Sequence, residues 1–259
     1  MTVAAAAAAV VSVSVALHEA TRLLATLAVG GEPTLLLSTG LQGDWSGLSD
    51  AGYVALGVSG SVASGILALV GWRLAQRGVG SPTMVTVTGW LLFAVNAWLP
   101  TVHLVLSPLL EFGDWMAIID RFPNRNPLRA SLIVTGLFIS GLVWKETVPS
   151  LARVIGNGNA VDRRARALRF VRAAWLATGV VAGVAALLGP DPRAALLAVA
   201  LAGTWGSMWP ILVAGRRIGG HPVPGDPLRV RRSLPVIAGG IVVAIAFVVL
   251  LGSGIPLSH

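Results

Sequence analysis

The chain has no cysteine, one lysine and one tyrosine, and only 12% of its 259 residues are charged. Without cysteine there can be no disulfide framework, no thiolate metal site and no cysteine nucleophile. The lone lysine, Lys145, lies near the end of the fourth apolar stretch beside Glu146, which excludes a retinal Schiff base in a last helix. No G-x-x-x-x-G-K segment is present, so a phosphate-cradling loop of that type is excluded too. A soluble domain carries about 25% charged residues. Half that value points to lipid as the solvent.

What remains is apolar. Hydrophobic residues make up 55% of the chain, and a spanning helix needs about 20 of them in a row. Seven stretches qualify: 3–28, 51–72, 83–108, 130–148, 170–188, 194–214 and 234–252. They are too long for barrel strands, and backbone groups in hydrocarbon must be satisfied within each segment. The expected class is all-α, a polytopic transmembrane bundle of about seven spans. The first stretch lacks the basic flank of a secretory signal and exceeds its apolar core, so it reads as a permanent helix.

The net charge of +8 is unevenly placed. Fourteen basic residues, among them Arg73, Arg77, Lys145, Arg153 and Arg216, fall in or beside loops on one side of a seven-span chain. Four, Arg121, Arg125, Arg129 and Arg193, fall on the other. That asymmetry predicts a cytoplasmic N-terminus and an outside C-terminus. The abundance of Arg, Ala, Val and Gly with one lysine is typical of a GC-rich prokaryotic genome, hence a prokaryotic plasma membrane. Arg163, Arg166, Arg169 and Arg172 recur every three residues, as on one stripe of an interfacial helix, and are expected to meet lipid headgroups. No interleaved aromatic platform accompanies these charges, so nucleic acid is not an expected partner.

Punctuation divides the chain. The segment 29–50 holds glycines, Pro33, Asp44 and Asp50 and predicts a loop or short hairpin. In the second span Gly57, Ser61 and Gly65 recur every four residues, with Gly60 and Ser64 on a neighbouring line. Small residues at that spacing let helices approach closely. Pro100 interrupts the third span, and residues 109–129 form a polar connection. The division expected is a motif-bearing core of three spans, 1–128, and an accessory four-span region, 129–259.

The first apolar stretch carries His18, Glu19 and Arg22 within one helical turn. Ionisable groups at that depth cost roughly 2.5–3.5 kcal/mol each, so intramembrane polar chemistry is the expectation. A catalytic zinc needs about three nitrogen or oxygen ligands, an open position, and a carboxylate to take the proton of bound water. His18 can ligate and Glu19 can serve as base. Arg22 stands where an H-E-x-x-H helix has its second histidine, and a guanidinium has no lone pair to donate. His103 and Asp114, on and after the third span, are the remaining candidate ligands.

This order of features resembles the site-2 protease family of intramembrane zinc metalloproteases. His18-Glu19 stands for the start of its H-E-x-x-H helix, and Gly57-Val58-Ser59-Gly60-Ser61 for its small-residue segment. Asn96-Ala97-Trp98-Leu99-Pro100 resembles its asparagine–proline motif, and Gly113-Asp114-Trp115 lies where its Asp-Gly stands. The resemblance covers roughly residues 14–118. It implies zinc as cofactor, His18 and Asp114 as ligands, Glu19 as general base, Asn96 as a group orienting substrate backbone, and a transmembrane protein as substrate or partner. Arg22 and Trp115 depart from the pattern, and the charge count places Asp114 outside, whereas the family's site faces the cytosol. The same residues admit a pseudo-protease that binds membrane helices, a transporter or channel component with a polar pathway, or a structural subunit of a membrane complex. In the plainest case Glu19 and Arg22, three apart, neutralise one another and His18 bonds to a neighbouring helix. Ser59, Ser61 and Ser64 with His103 could also compose a serine–histidine site, although helix packing accounts for those serines.

Overall fold

The computed structural model describes residues 1–77, 83–218 and 225–257, except for the side chain of Asp114. It is an all-α membrane-type bundle. Seven helical segments are long and apolar enough to cross a membrane.

The first span is α1 (Thr2–Ala28). A hairpin follows, β1 (Glu32–Leu37) and β2 (Gly40–Asp44), turning at Ser38 and Thr39. Its glycine- and proline-rich surroundings stop the helix, and Leu36, Leu37 and Leu41 bury its inner face. Helix α2 (Asp50–Gln76) starts at Ser49, whose hydroxyl accepts from the Gly52 N–H at 3.2 Å. Helix α3 (Met84–Leu110) opens on a capping box of Thr83 and Thr86. It continues through Pro100, which has no N–H to offer the Asn96 carbonyl. The chain then reverses at Glu111 (φ 57°) into a short helix, α4 (Gly113–Ile119). Ser107 clasps this turn, donating to the Phe112 carbonyl and accepting from the Met116 N–H.

Helices α5 (Arg125–Ile155) and α6 (Ala160–Leu187) are longer than the apolar runs that predict them. The arginines at 163–172 do not form a separate interfacial helix. They occupy the first turns of one continuous 28-residue helix, capped by the Asn159 side chain. The sixth span is composite: α7 (Arg193–Val199), a wide π-type stretch (Ala200–Trp205), a tight turn (Gly206–Met208) and α8 (Trp209–Arg217). The seventh is α9 (Leu234–Phe247), extended by Val248–Gly252. A last two-residue strand, β3 (Ile255–Pro256), pairs antiparallel with β1, giving the order β2-β1-β3.

Helix α1 packs against α2, α3, α6 and α9, so residues on both sides of position 128 share one apolar core. Helix α3 is the most enclosed, with Trp90, Leu91 and Ala94 fully buried. Its tryptophans hold α5 through indole donors: Trp90 Nε1 to Ser150 Oγ and Trp98 Nε1 to Thr147 Oγ1, both at 3.1 Å. Hydrogen bonds of this kind, with close small-residue packing, carry helix association where lipid removes any apolar preference. The outward faces of α2, α5, α6 and α9 expose large side chains such as Ile66, Phe138, Val180 and Val242. Such faces suit hydrocarbon, not water.

Candidate functional site

The site forms where α1 meets α2 and α3 below the hairpin. Glu19 and Arg22 are 5% and 7% exposed, and Arg22 Nη1 lies 2.9 Å from Glu19 Oε2. The i,i+3 spacing puts both on one face of α1, so the pair needs no help from tertiary structure to form. The Arg22 guanidinium also borders a cavity of about 170 Å³ with Trp45, Tyr53 and Gly113. Gly40, at the hairpin turn, comes close to it: a Cβ there would stand 3.6 Å from Nη1. The hairpin therefore lids the ion pair.

His18 turns the other way, onto α2. Its Nδ1 is 3.2 Å from Ser64 Oγ. The ring fills the space over Gly60, where a methyl group would overlap it. The line of small residues at Gly60 and Ser64 thus receives an imidazole. Gly65, on the other line, faces open space and lines an apolar groove. Ser64, itself 1% exposed, meets His18.

Asn96 is 1% exposed and joins α3 to α1, donating from Nδ2 to Ser14 Oγ at 2.7 Å and to the Leu92 carbonyl at 2.9 Å. Ser14 lies one turn before His18, so Asn96 from α3 and Ser64 from α2 address adjacent turns of α1. His103 points toward the sixth span. Its ring packs on Gly203, where a Cβ would fall 2.6 Å from Nε2, and stands edge-on to Phe112 at 6.2 Å between ring centres. The wide π-type stretch of the sixth span carries that glycine. Asp114 sits in α4, next to the Gly113 that borders the Arg22 cavity; its side chain is outside what is described. Among the described residues no three His, Asp or Glu side chains converge in a way that could hold a metal.

The groove, of about 620 Å³, opens between α2, α3 and α5. Its walls are apolar, from Gly65, Leu69, Leu104, Leu142 and Val143, and Asn96, Pro100 and Thr101 contribute to its lining. Trp115 lines it too. At one end Glu146 accepts from Trp72 Nε1 at 3.0 Å and from Arg153 Nη2 at 2.5 Å.

No family model, curated protein or solved structure matches this chain. Its chemistry therefore has to be read from its own side chains. Glu19 is held by a guanidinium, and Arg22 has no lone pair for a metal. Of the four arginines expected at headgroups, Arg163 is turned inward: it is 3% exposed and donates from Nε to the Gly156 carbonyl at 3.0 Å. Arg169 and Arg172 remain at the surface and Arg166 is half-buried. The partners that sequence reasoning misses are Ser14, Ser64 and Gly203. Ser14 carries a faint signal, since it shares a helical face with His18; Gly203 carries none.

Proposed function

We propose that this integral membrane protein resembles intramembrane zinc metalloproteases but works as a pseudo-protease, binding transmembrane helices without cutting them. The observation that carries the reading is the buried Glu19–Arg22 pair at 2.9 Å. A general base must be able to accept a proton from water, and a carboxylate committed to an adjacent guanidinium is a poor one. Arg22 also stands one turn after His18, where an H-E-x-x-H helix carries its second ligand. Among the described residues, which do not include the Asp114 side chain, no three candidate ligands come together.

The groove along α2, α3 and α5 supplies the binding half of the reading. A lipid chain has no group to meet a buried asparagine. A transmembrane helix loosened at glycine exposes backbone N–H donors from which the Asn96 carbonyl oxygen can accept. Both hydrogen bonds of Asn96 use Nδ2 and leave Oδ1 outside them. By the charge asymmetry the N-terminus is cytoplasmic and the C-terminus outside.

Gly65→Leu tests the groove. A Cβ at Gly65 meets nothing within 4 Å, so leucine fills the groove without a clash in the helix. Energy transfer in vesicles between the labelled protein and a single-span peptide with a central Gly-Pro should show association with the wild type and its loss in Gly65→Leu, with the peptide intact throughout. Peptide cleavage that depends on Glu19 would overturn the proposal, as would association indifferent to Gly65→Leu.

A further inference from the structure

A second cavity, of about 530 Å³, shares no lining residue with the groove and lies where the first turn of α1 meets α6 and the segment 228–232. Three arginines, Arg166, Arg169 and Arg232, converge on it, and no carboxylate among the described residues lines it. Like charges brought together in a half-enclosed space repel unless an anion sits between them. Arg166 is partly committed, donating from Nη2 to the Asn157 carbonyl. Its Nε is buried and has no hydrogen-bond partner among the described residues. Arg169 and Arg232 are exposed.

The walls are fixed. Leu228 N–H donates to the Ile155 carbonyl at 2.9 Å, and Thr2 Oγ1 takes the Ser233 N–H at 3.2 Å while donating to the Arg231 carbonyl at 3.3 Å. The segment is thus tied down at both ends, by one backbone bond and by the Thr2 hydroxyl, and these bring its arginine to the cavity. The remaining lining is apolar, including Val3, Phe170 and Val230. Phe170 is itself locked edge-on against Trp90 at 5.4 Å between ring centres.

We propose that this cavity binds the phosphate of an anionic phospholipid, with the glycerol and first acyl carbons on the apolar lining. A free phosphate would use the arginines but has no use for Phe170, Val3 and Val230. The position at the ends of two spanning helices is where headgroups lie, and basic pockets between spans are suited to such lipids. The assignment does not depend on the groove or on the ion pair.

The test uses the full chain in a zwitterionic detergent, titrated with phosphatidylglycerol or phosphatidylcholine and read by native mass spectrometry. One phosphatidylglycerol should be retained per chain, at least tenfold more tightly than phosphatidylcholine. Each arginine near the surface is worth about fivefold. Arg166→Gln, Arg169→Gln and Arg232→Gln together should therefore weaken retention by about a hundredfold. Arg216→Gln with Arg217→Gln, which removes two exposed charges outside the cavity, should leave it unchanged. Ala173→Phe keeps every charge and fills the cavity, and should also abolish the preference; it serves where the triple variant does not fold. Equal losses in the Arg216/Arg217 variant, retention unaffected by Ala173→Phe, or no preference between the lipids would each overturn the proposal. Displacement of the lipid by inorganic phosphate at equal concentration would overturn the lipid assignment in favour of a soluble anion.

Discussion

The Glu19–Arg22 pair can be taken apart by a double-mutant cycle of Glu19→Gln, Arg22→Gln and the two combined. Both side chains are less than a tenth exposed and 2.9 Å apart. Breaking a buried pair by removing one partner costs about 3–5 kcal/mol. The double variant keeps two amides on the same helical face, able to bond to one another, and should lose no more than about 2 kcal/mol. The coupling energy should therefore be several kcal/mol, well above the few tenths expected of independent sites. Equilibrium unfolding of the full chain in mixed micelles, followed by the fluorescence of its nine tryptophans, supplies all four stabilities. Additive single losses, or losses below about 1 kcal/mol as for an exposed pair, would refute the reasoning.

Other perturbations follow from single contacts. Gly60→Ala overpacks the His18 ring and should cost about 1–3 kcal/mol, with most of the loss recovered in a His18→Ala background; no recovery would separate the two residues. Asn96→Ala removes both Nδ2 bonds, and about 1–3 kcal/mol should go with them because Ser14 is left buried. Asp44 lies in the hairpin, outside the spans. The Ser46 backbone N–H, bonded to Oδ1 at 2.8 Å, and then the Ser46 hydroxyl hold its carboxyl below the ordinary aspartate range. A lowered folded-state value means that its contribution is present above the ordinary value and is lost as pH falls through the folded one. Carboxyl-carbon NMR should find that titration below the ordinary aspartate value and returned toward it by Ser46→Pro, which removes the N–H; an ordinary value in the wild type would contradict the turn geometry.

Much of the architecture is legible from local pattern. Apolar runs mark the seven spans, since length and composition alone decide what can cross hydrocarbon. The hairpin is legible from Gly30, Gly31 and Pro33, which end α1. The limits of α5 and α6 are not, because polar first and last turns such as Arg163–Arg172 carry no apolar signal and still continue the helix. Within the site, the Glu19–Arg22 bond follows from spacing on one helix. The His18–Ser64 and Asn96–Ser14 bonds join different spans, and no helical period encodes them. His103 is the clearest case. It resembles a ligand in the sequence, and its packing on Gly203 depends on a π-type stretch one hundred residues away that has no local marker.

The most direct measurement is the metal content of the purified full chain after equilibration with zinc and desalting. With Arg22 neutralising Glu19 and His18 bonded to Ser64, zinc should remain well below one per chain and should be unchanged by His18→Ala. One zinc per chain, lost on His18→Ala, would contradict the account.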